Sequence, residues 1–355
     1  MCRMNDELDS GVFDVVVIGG GVAGLSGALT LSRARRSVLV LDAGEPRNAP
    51  AAAAHGLLSR DGVAPLDLLR AGRAEVSRYG GQVLPDRATH AVRVEGLFVV
   101  GTQSGASFRA RRLLVTTGLV DELPQVPGLR ERWGRDVLHC PYCHGWEVRD
   151  TPIGVLGTNA ASVHQALLFR QWSSRVTLFL HTAPEPEEEQ WERLAARGIE
   201  VVQGEVTGLE VVDDTLQGVR LSSQLVVPVR SLAVAPRFLA RGEVLAGLGV
   251  GPAPHPMGVG THVPSGPGGA TNVPGVWVAG NVTDVMAGLA QAQAGGATAA
   301  AAINADLVDA DTDEALARRR AAPREDFGAA IEARVTERVL GERRHGLDSL
   351  LPGTE

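Results

Sequence analysis

The sequence predicts an α/β protein of two Rossmann-like, dinucleotide-binding domains, the first interrupted by the second and resumed after it. Three observations predict this fold class. A strand, a glycine turn, a helix, a second strand and an acid follow one another over residues 14–42; a second strand–turn–helix–strand unit occupies 152–180; and a strand with its own glycine turn returns at 276–284. The composition suits buried parallel sheets: 44% of the 355 residues are hydrophobic and 43 are glycine, with only 7 Phe, 5 Trp and 2 Tyr. That length holds two domains, whereas a third would be a squeeze. The expected bounds are 12–119 for the first part of the nucleotide-binding domain, 120–240 for the insert, 241–310 for the resumed part and 311–355 for a helical tail.

Residues 1–12 read as a flexible leader in which Cys2 is a bystander. Asp14-Val15-Val16-Val17-Ile18 is a β-branched run fit for a strand buried on both faces. Gly19-Gly20-Gly21-Val22-Ala23-Gly24 follows at once, and Ala23, Leu25, Ala28 and Leu31 give helical spacing to about Arg36. Ser37-Val38-Leu39-Val40-Leu41 is a second buried strand, ending in Asp42. Gly19 permits the tight turn, Gly21 lets backbone N–H groups approach a pyrophosphate, Gly24 allows close helix–strand packing, and Asp42 accepts a ribose hydroxyl. A glycine-rich turn in an empty domain is the plainer alternative.

A polar loop follows at 43–48, then an Ala-rich segment with His55-Gly56 and Ser59-Arg60-Asp61-Gly62, and a helix near 65–79. Strand-like pieces lie at 82–84, 90–94 and 97–101, and Leu113-Leu114-Val115 runs as a buried strand into Thr116-Thr117-Gly118. In the insert, Pro152-Ile153-Gly154-Val155-Leu156 is a strand, a helix ends by Trp172, and Val176-Thr177-Leu178-Phe179-Leu180 is the next strand. The turn between them is degenerate: Gly157 stands at a fingerprint position, but Asn159 and Ser162 replace the glycines that would admit and pack against a pyrophosphate. Four glutamates, Glu185 and Glu187 to Glu189, stand where an NADPH site would want arginines for the 2′-phosphate. A solvated acidic loop is the plainer reading of that run.

Val276-Trp277-Val278-Ala279-Gly280-Asn281 is a strand entering a glycine turn, and an Ala-rich helix is expected over 288–307. In the tail, Ile331, Val335, Val339 and Leu340 give one apolar face, expected to pack on its own or a partner subunit, and Glu342-Arg343-Arg344-His345 reads as a solvated face.

The net charge of −7 offers no attraction to nucleic acid or to an anionic membrane, and no apolar run approaches the roughly 18 residues a bilayer span needs. The first residues, with Asp6, Glu7 and Asp9, lack a basic flank leading into an apolar core, so a soluble, cytoplasmic protein is expected. In such a reducing compartment a pair of cysteines is catalytic rather than structural. Two of the three cysteines stand in His139-Cys140-Pro141-Tyr142-Cys143-His144-Gly145-Trp146-Glu147. Cysteines two residues apart close a small disulfide ring in which one thiol has a depressed pKa, which points to thiol–disulfide exchange. The pattern also admits c-type haem attachment, or a zinc knuckle with His139 and His144; the first implies export and the second lacks further thiol ligands, so no metal is expected.

In order, Gly-Gly-Gly-x-Ala-Gly at 19–24, the acid at 42, Thr-Thr-Gly at 116–118, Cys140-x-x-Cys143 before the second βαβ unit and Ala-Gly-Asn-Val at 279–282 resemble the low-molecular-weight thioredoxin reductases. The resemblance covers about residues 12–308. The degenerate second turn with Cys-Pro-Tyr-Cys-His-Gly is similar to the FAD-dependent dithiol oxidases of natural-product pathways, of the holomycin and gliotoxin type. The chain departs from the reductases in carrying His144 where they have Asp, and in lacking their basic NADPH-binding pair.

The resemblance implies FAD, held by Gly19, Gly21, Ala23, Gly24, Asp42, Arg47, Asn48, His55, Thr117, Gly118, Gly280, Asn281, Ala290 and Gln291. It places the late glycine turn on the flavin ribityl and phosphate, and the following helix N-terminus at the pyrimidine edge. It implies oxidation of a small-molecule dithiol to a disulfide by Cys140 and Cys143, with O2 as acceptor and H2O2 as product. Cys143 is then the sulfur beside the flavin, Cys140 the sulfur that meets substrate, and His144 the base, with His55 a lesser candidate. Tyr142 and Trp146 are read as shaping the pocket. A homodimer is implied, in which His345 can reach a partner's site. A disulfide reductase fed by NADPH or another donor, and a flavin-binding redox sensor without turnover, stay open as alternatives.

Overall fold

The structure, a computed structural model, describes residues 11–321 and 328–340. β1 (Val12–Ile18), α1 (Val22–Arg33) and β2 (Val38–Leu41) form the first βαβ unit, and α2 (Pro65–Arg78) returns the chain to β3 (Gln82–Leu84). A meander of β4 (Ala88–Val94), β5 (Leu97–Thr102) and β6 (Ser107–Val115) follows. β6 decides the architecture of this half, because its two ends have different neighbours. Ser107 to Ala110 pair antiparallel with β5, whereas Leu113, Leu114 and Val115 pair parallel with β19 (Val276–Val278), which arrives some 160 residues later along the chain. The sheet order is thus β3-β2-β1-β6-β5-β4 with β19 also on β6. Val15, Val16, Val17, Leu39, Val40, Leu113 and Leu114 are buried on its two faces, each contributing about 1.5–3 kcal/mol over an exposed position.

The insert begins with β7 (Leu119–Glu122), α3 (Leu129–Arg132), β8 (Val137–Leu138) and the single turn α4 (Pro141–His144). Its βαβ core is β9 (Ile153–Leu156), α5 (Ser162–Phe169), β10 (Val176–Phe179), α6 (Glu188–Ala196) and β11 (Glu200–Val202). An antiparallel sheet of β12 (Val206–Val212), β13 (Thr215–Leu221) and β14 (Val226–Pro228) precedes β15 (Ser231–Val234). The core sheet, β11-β10-β9-β15-β8, is parallel throughout. β16 (Arg237–Ala240) then runs back antiparallel to β7, so the two strands entering and leaving the insert are zipped together. A small hairpin of β17 (Ala253–Pro254) and β18 (Thr261–His262) precedes β19.

The Ala-rich helix expected to end near 307 is longer: α7 runs from Leu289 to Ala321 as one element. No glycine or proline interrupts it after Gly296, and its last turn carries Arg318, Arg319 and Arg320, cations that suit a helix C-terminus. α7 crosses α1 backbone to backbone. A methyl group on Gly27 would lie 2.5 Å from Leu114 Cδ2 and 3.1 Å from the Gly296 carbonyl oxygen, and one on Gly296 would lie 2.0 Å from the Ala23 oxygen.

The chain divides into two compact units, one ending at Ala305 and the other beginning at Asp306. The second contains the end of α7 and α8 (Ala329–Leu340), on which Val335 and Val339 are exposed. Cys2 and the Glu342–His345 run lie outside the described residues. Among the described residues no helix is long and apolar enough to cross a membrane.

Candidate active site

The turns after β1, β6 and β19 leave one edge of the parallel sheet side by side, as the register Ile18–Val115 and Val115–Val278 requires. Open α/β sheets bind their ligands at this carboxyl edge. Gly19 has φ +110°, and a methyl group there would meet the Thr116 carbonyl oxygen at 2.5 Å; on Gly24 it would meet the Gly19 oxygen at 1.9 Å. Thr116 Oγ1 donates to the same Gly19 oxygen at 2.8 Å, which locks the turn to β6. At Gly21, the N-cap of α1, a methyl group would meet nothing within 4 Å, and no side chain caps the helix. The first amides of α1 therefore point into open space beside a glycine, the arrangement that accepts a phosphate.

Asp42 closes the far end of this cradle. Its Oδ2 accepts from Arg73 Nη2 at 2.6 Å and its Oδ1 from the Gly44 amide at 3.0 Å. A carboxylate has about four lone-pair sites, so a ribose diol can share it with Arg73. At the other end, Asn281 Nδ2 donates to the carbonyl oxygens of Asp284 and Ala287 at 3.0 and 2.9 Å, fixing the approach to α7. Arg47 Nη1 reaches Asn281 Oδ1 at 3.4 Å, while its other nitrogens clasp Asp121 of β7. Thr117 Oγ1 donates to the Arg241 carbonyl at 2.5 Å, and Gly118 has φ +72°. One cleft of roughly 1960 Å³ connects this cradle to the cysteine segment. Since a drug-sized ligand fills about 300–1000 Å³, a dinucleotide and a second small molecule fit together.

Cys140 and Cys143 form a disulfide, with Cα atoms 5.3 Å apart. Cys140 caps α4 and Pro141 opens it with no amide to satisfy; the Cys143 and His144 amides both donate to the Cys140 carbonyl at 3.2 Å. Gly145 ends the turn because nothing larger fits: a methyl group there would lie 2.4 Å from the Pro141 oxygen and 2.8 Å from the Trp172 ring. Tyr142 packs edge-on against Trp172 and lines the cleft, whereas Trp146 is exposed under the Arg149 guanidinium and is not among the lining residues.

His144 lines the cleft, and its Nε2 is sealed from solvent with no hydrogen-bond partner. Burial lowers its pKa, the Glu147 carboxylate opposes that shift, and His55 adds to it. It is therefore neutral near pH 7, with a ring nitrogen free to take a proton. His139 is committed elsewhere: its Nδ1 faces the Val234 carbonyl at 3.1 Å and its ring meets Phe238 edge-on, and burial lowers its pKa too. Among the described residues no group of three or more His, Cys, Asp or Glu side chains is placed to hold a metal ion.

The turn after β9 is closed by its own side chains. Ser162 Oγ accepts from the amides of Thr158 and Asn159 at 3.2 and 3.5 Å, and Asn159 Oδ1 accepts from the Ala161 amide at 2.9 Å. These donors would face a pyrophosphate if glycines stood there. The glutamate run past β10 serves α6, where Glu187 and Gln190 form a capping box.

All the residues expected to hold a dinucleotide except Gly24 border the one cleft, together with Cys140, Cys143 and His144; Gly24 lies beneath the turn. His55 is also there, but its neighbours are acids: Nε2 lies 3.4 Å from Glu147 and Nδ1 3.4 Å from Asp61. Glu147, Asp61 and Asp121 were not singled out by pattern. Glu147 had a signal in its place within the cysteine segment, three residues after His144, although α4 ends at His144; Asp61 and Asp121 had none.

A family model described as pyridine nucleotide-disulphide oxidoreductase matches residues 13–303. A crystal structure of HlmI superposes with a TM-score of 0.82 at 45% identity, covering 88% of this chain and 98% of that one. A probable thioredoxin reductase of Arthroderma benhamiae is 39% identical over 152 residues, 41% of this chain but only 38% of that protein. Thioredoxin reductase sirT of Leptosphaeria maculans is 28% identical over 317 residues, 84% of this chain and 96% of its own length.

Proposed function

The chain belongs to the pyridine nucleotide-disulphide oxidoreductase family, and from that premise we propose that it oxidises a small-molecule dithiol to a disulfide, with O2 as acceptor and H2O2 as product. FAD is the cofactor of this family, and the cradle of Gly19, Gly21, Gly24, Asp42, Gly280 and Asn281 fits it. The reading rests on one observation above others. A reductase fed by NADPH must bind it in its second domain, and here the amides that would hold its pyrophosphate already donate to Ser162 and Asn159. Electrons then enter from the thiol side, through Cys140 and Cys143.

When bound, FAD supplies the two-electron acceptor that restores the cysteine disulfide and passes the pair to O2. The chain's own residues do the rest. His144, which lines the cleft, takes the proton of the first substrate thiol, and the thiolate attacks Cys140 Sγ and displaces the Cys143 thiolate. The second substrate thiol then attacks the substrate sulfur bound to Cys140, the bond to Cys140 Sγ breaks with that sulfur taking the second proton, and the oxidised product leaves. Tyr142 and Trp172 form a wall beside the disulfide, and Gly145 holds the turn that presents it.

The test is anaerobic. Mixing the FAD-loaded protein with dithiothreitol should bleach the flavin absorbance, whereas NADPH should not, and air should restore the colour with formation of peroxide. Rapid bleaching by NADPH would make the chain a reductase.

A further inference from the structure

Charge is distributed unevenly around the cleft. Every Asp, Glu and Arg that borders it belongs to the flanking half or to the β7–β16 ribbon. Most of these are spent on partners: Asp42 on Arg73, Glu45 on Arg87, Arg47 on Asp121 and Glu122 on Arg237. Between Leu138 and Thr182, by contrast, the lining residues include no Asp, Glu, Lys or Arg. The arginines of that segment are engaged elsewhere. Arg149 covers Trp146, Arg170 donates to the Arg197 and Ser173 carbonyls, and Arg175 donates to that of Asp150.

This uncharged wall stands directly against the redox pair. Gln165 of α5 donates through Nε2 to the carbonyl of His139, the residue before Cys140, at 3.3 Å, and Trp172 just beyond α5 meets Tyr142 edge-on. Thr158, Asn159, Ala161, His164, Gln165 and Leu168 border the cleft there. A helix N-terminus would ordinarily draw an anion. Here the amides of Thr158, Asn159 and Ala161 are held by the Ser162 and Asn159 side chains, and the Ser162 amide donates to the Asn159 carbonyl at 3.1 Å. A carboxylate laid along this wall would lose water and gain no counter-charge. Uncharged polar groups fare better, because the Thr158 hydroxyl and the Asn159 amide can both give and accept hydrogen bonds.

We propose that the dithiol taken by Cys140 is uncharged, with amide or hydroxyl groups lying along α5, and that this wall rejects a dithiol bearing a carboxylate. The inference rests on the dithiol oxidase reading and deepens it: the turn that no longer holds a pyrophosphate becomes a wall of the substrate site.

Dihydrolipoamide and dihydrolipoate carry the same dithiol and differ in an amide against a carboxylate. Each is mixed anaerobically with the FAD-loaded protein at about pH 8, above the ordinary histidine range, and the flavin absorbance is followed. Dihydrolipoamide is expected to bleach the flavin roughly tenfold faster or more at equal, subsaturating concentration. The ratio should persist in about 0.5 M KCl, where long-range repulsion from the net charge of −7 is screened. Equal rates, or a ratio lost in salt, would overturn the proposal. Ala161→Arg and His164→Arg, both at exposed positions bordering the cleft, should each narrow the ratio severalfold by supplying the missing counter-charge. A ratio unmoved by both would take the substrate off this wall. Calorimetric binding of the oxidised pair, lipoamide and lipoate, decides the matter without turnover: lipoamide should bind more tightly by a similar factor, and equal affinities would refute the inference. A protein that prefers lipoamide yet is bleached by neither dithiol would sink the oxidase reading alone.

Discussion

Arg47 clasps Asp121 through two parallel hydrogen bonds, Nε to Oδ2 at 2.8 Å and Nη2 to Oδ1 at 2.6 Å, with its guanidinium over the Phe238 ring. One arm of the pair stands in the loop after the ribose acid and the other on β7, so the pair ties the cofactor cradle to the ribbon that leads into the insert. Asp121 is buried and Arg47 partly exposed. Arg47→Met leaves the carboxylate without its partner and should cost about 2–4 kcal/mol, read as a lower urea midpoint with an unchanged slope. An unchanged midpoint would show that water replaces the guanidinium.

The two cysteines should separate spectroscopically. With Cys143 beside the flavin, Cys140→Ser keeps a thiolate there and should show a long-wavelength band in the FAD-loaded protein, and Cys143→Ser should not. Both should lose dithiol turnover. A band that persists in Cys143→Ser reverses the assignment.

His144→Gln removes the proposed proton acceptor and should slow flavin reduction by dithiothreitol by roughly 10² or more, with little change in binding. In the wild type the rate should fall on acidification, through a pKa below the ordinary histidine value of 6.5, because burial disfavours the charged ring. A rate that rises on acidification below 6.5 would exclude His144 as the base.

Stability should follow the same sign. The pKa values of His139, His144 and His181 are all lowered, chiefly by burial. Between these lowered values and the ordinary 6.5 the unfolded chain binds more protons than the folded one. Their contribution is thus full above 6.5 and is lost as pH falls through the folded values. Urea midpoints should drop from pH 7 toward pH 5 for this reason, and His139→Gln should flatten the slope; an unaltered slope would assign the acid sensitivity to other groups.

Two glycine variants should part folding from cofactor binding. Gly24→Ala places a methyl group 1.9 Å from the Gly19 oxygen and should prevent folding of this half. Gly21→Ala meets no protein atom, so it should fold with stability within about 1 kcal/mol of wild type and yet purify colourless. Full flavin content in Gly21→Ala would mean that the pyrophosphate does not approach α1.

The local grammar of this chain was legible because its strands are buried on both faces and its turns need glycine. Val15 to Ile18 and the glycines at 19, 21 and 24 announce themselves, and the gaps left by Asn159 and Ser162 in the second turn are as readable as the glycines in the first. What was hidden depends on chain segments that meet only after folding. Nothing in Ser107–Val115 says that one edge of the strand will serve two neighbours while β1 takes the other, and nothing near Arg47 points to Asp121 or near His55 to Glu147, 92 positions away. The end of α7 was missed for another reason: alanine, aspartate and arginine continue a helix without marking where packing stops.

The pairing of β19 with β6, and of Gly296 with Ala23, has a consequence for how the protein is made. The insert is one continuous segment and can fold while the ribosome is still working. The flanking half cannot, since its sheet lacks a strand, and α1 its neighbour, until residues near 296 have left the exit tunnel. Flavin capture is therefore a late event in the life of each new chain. A cell starved of riboflavin should accumulate molecules whose thiol-bearing half is finished and whose flavin half waits open to proteases.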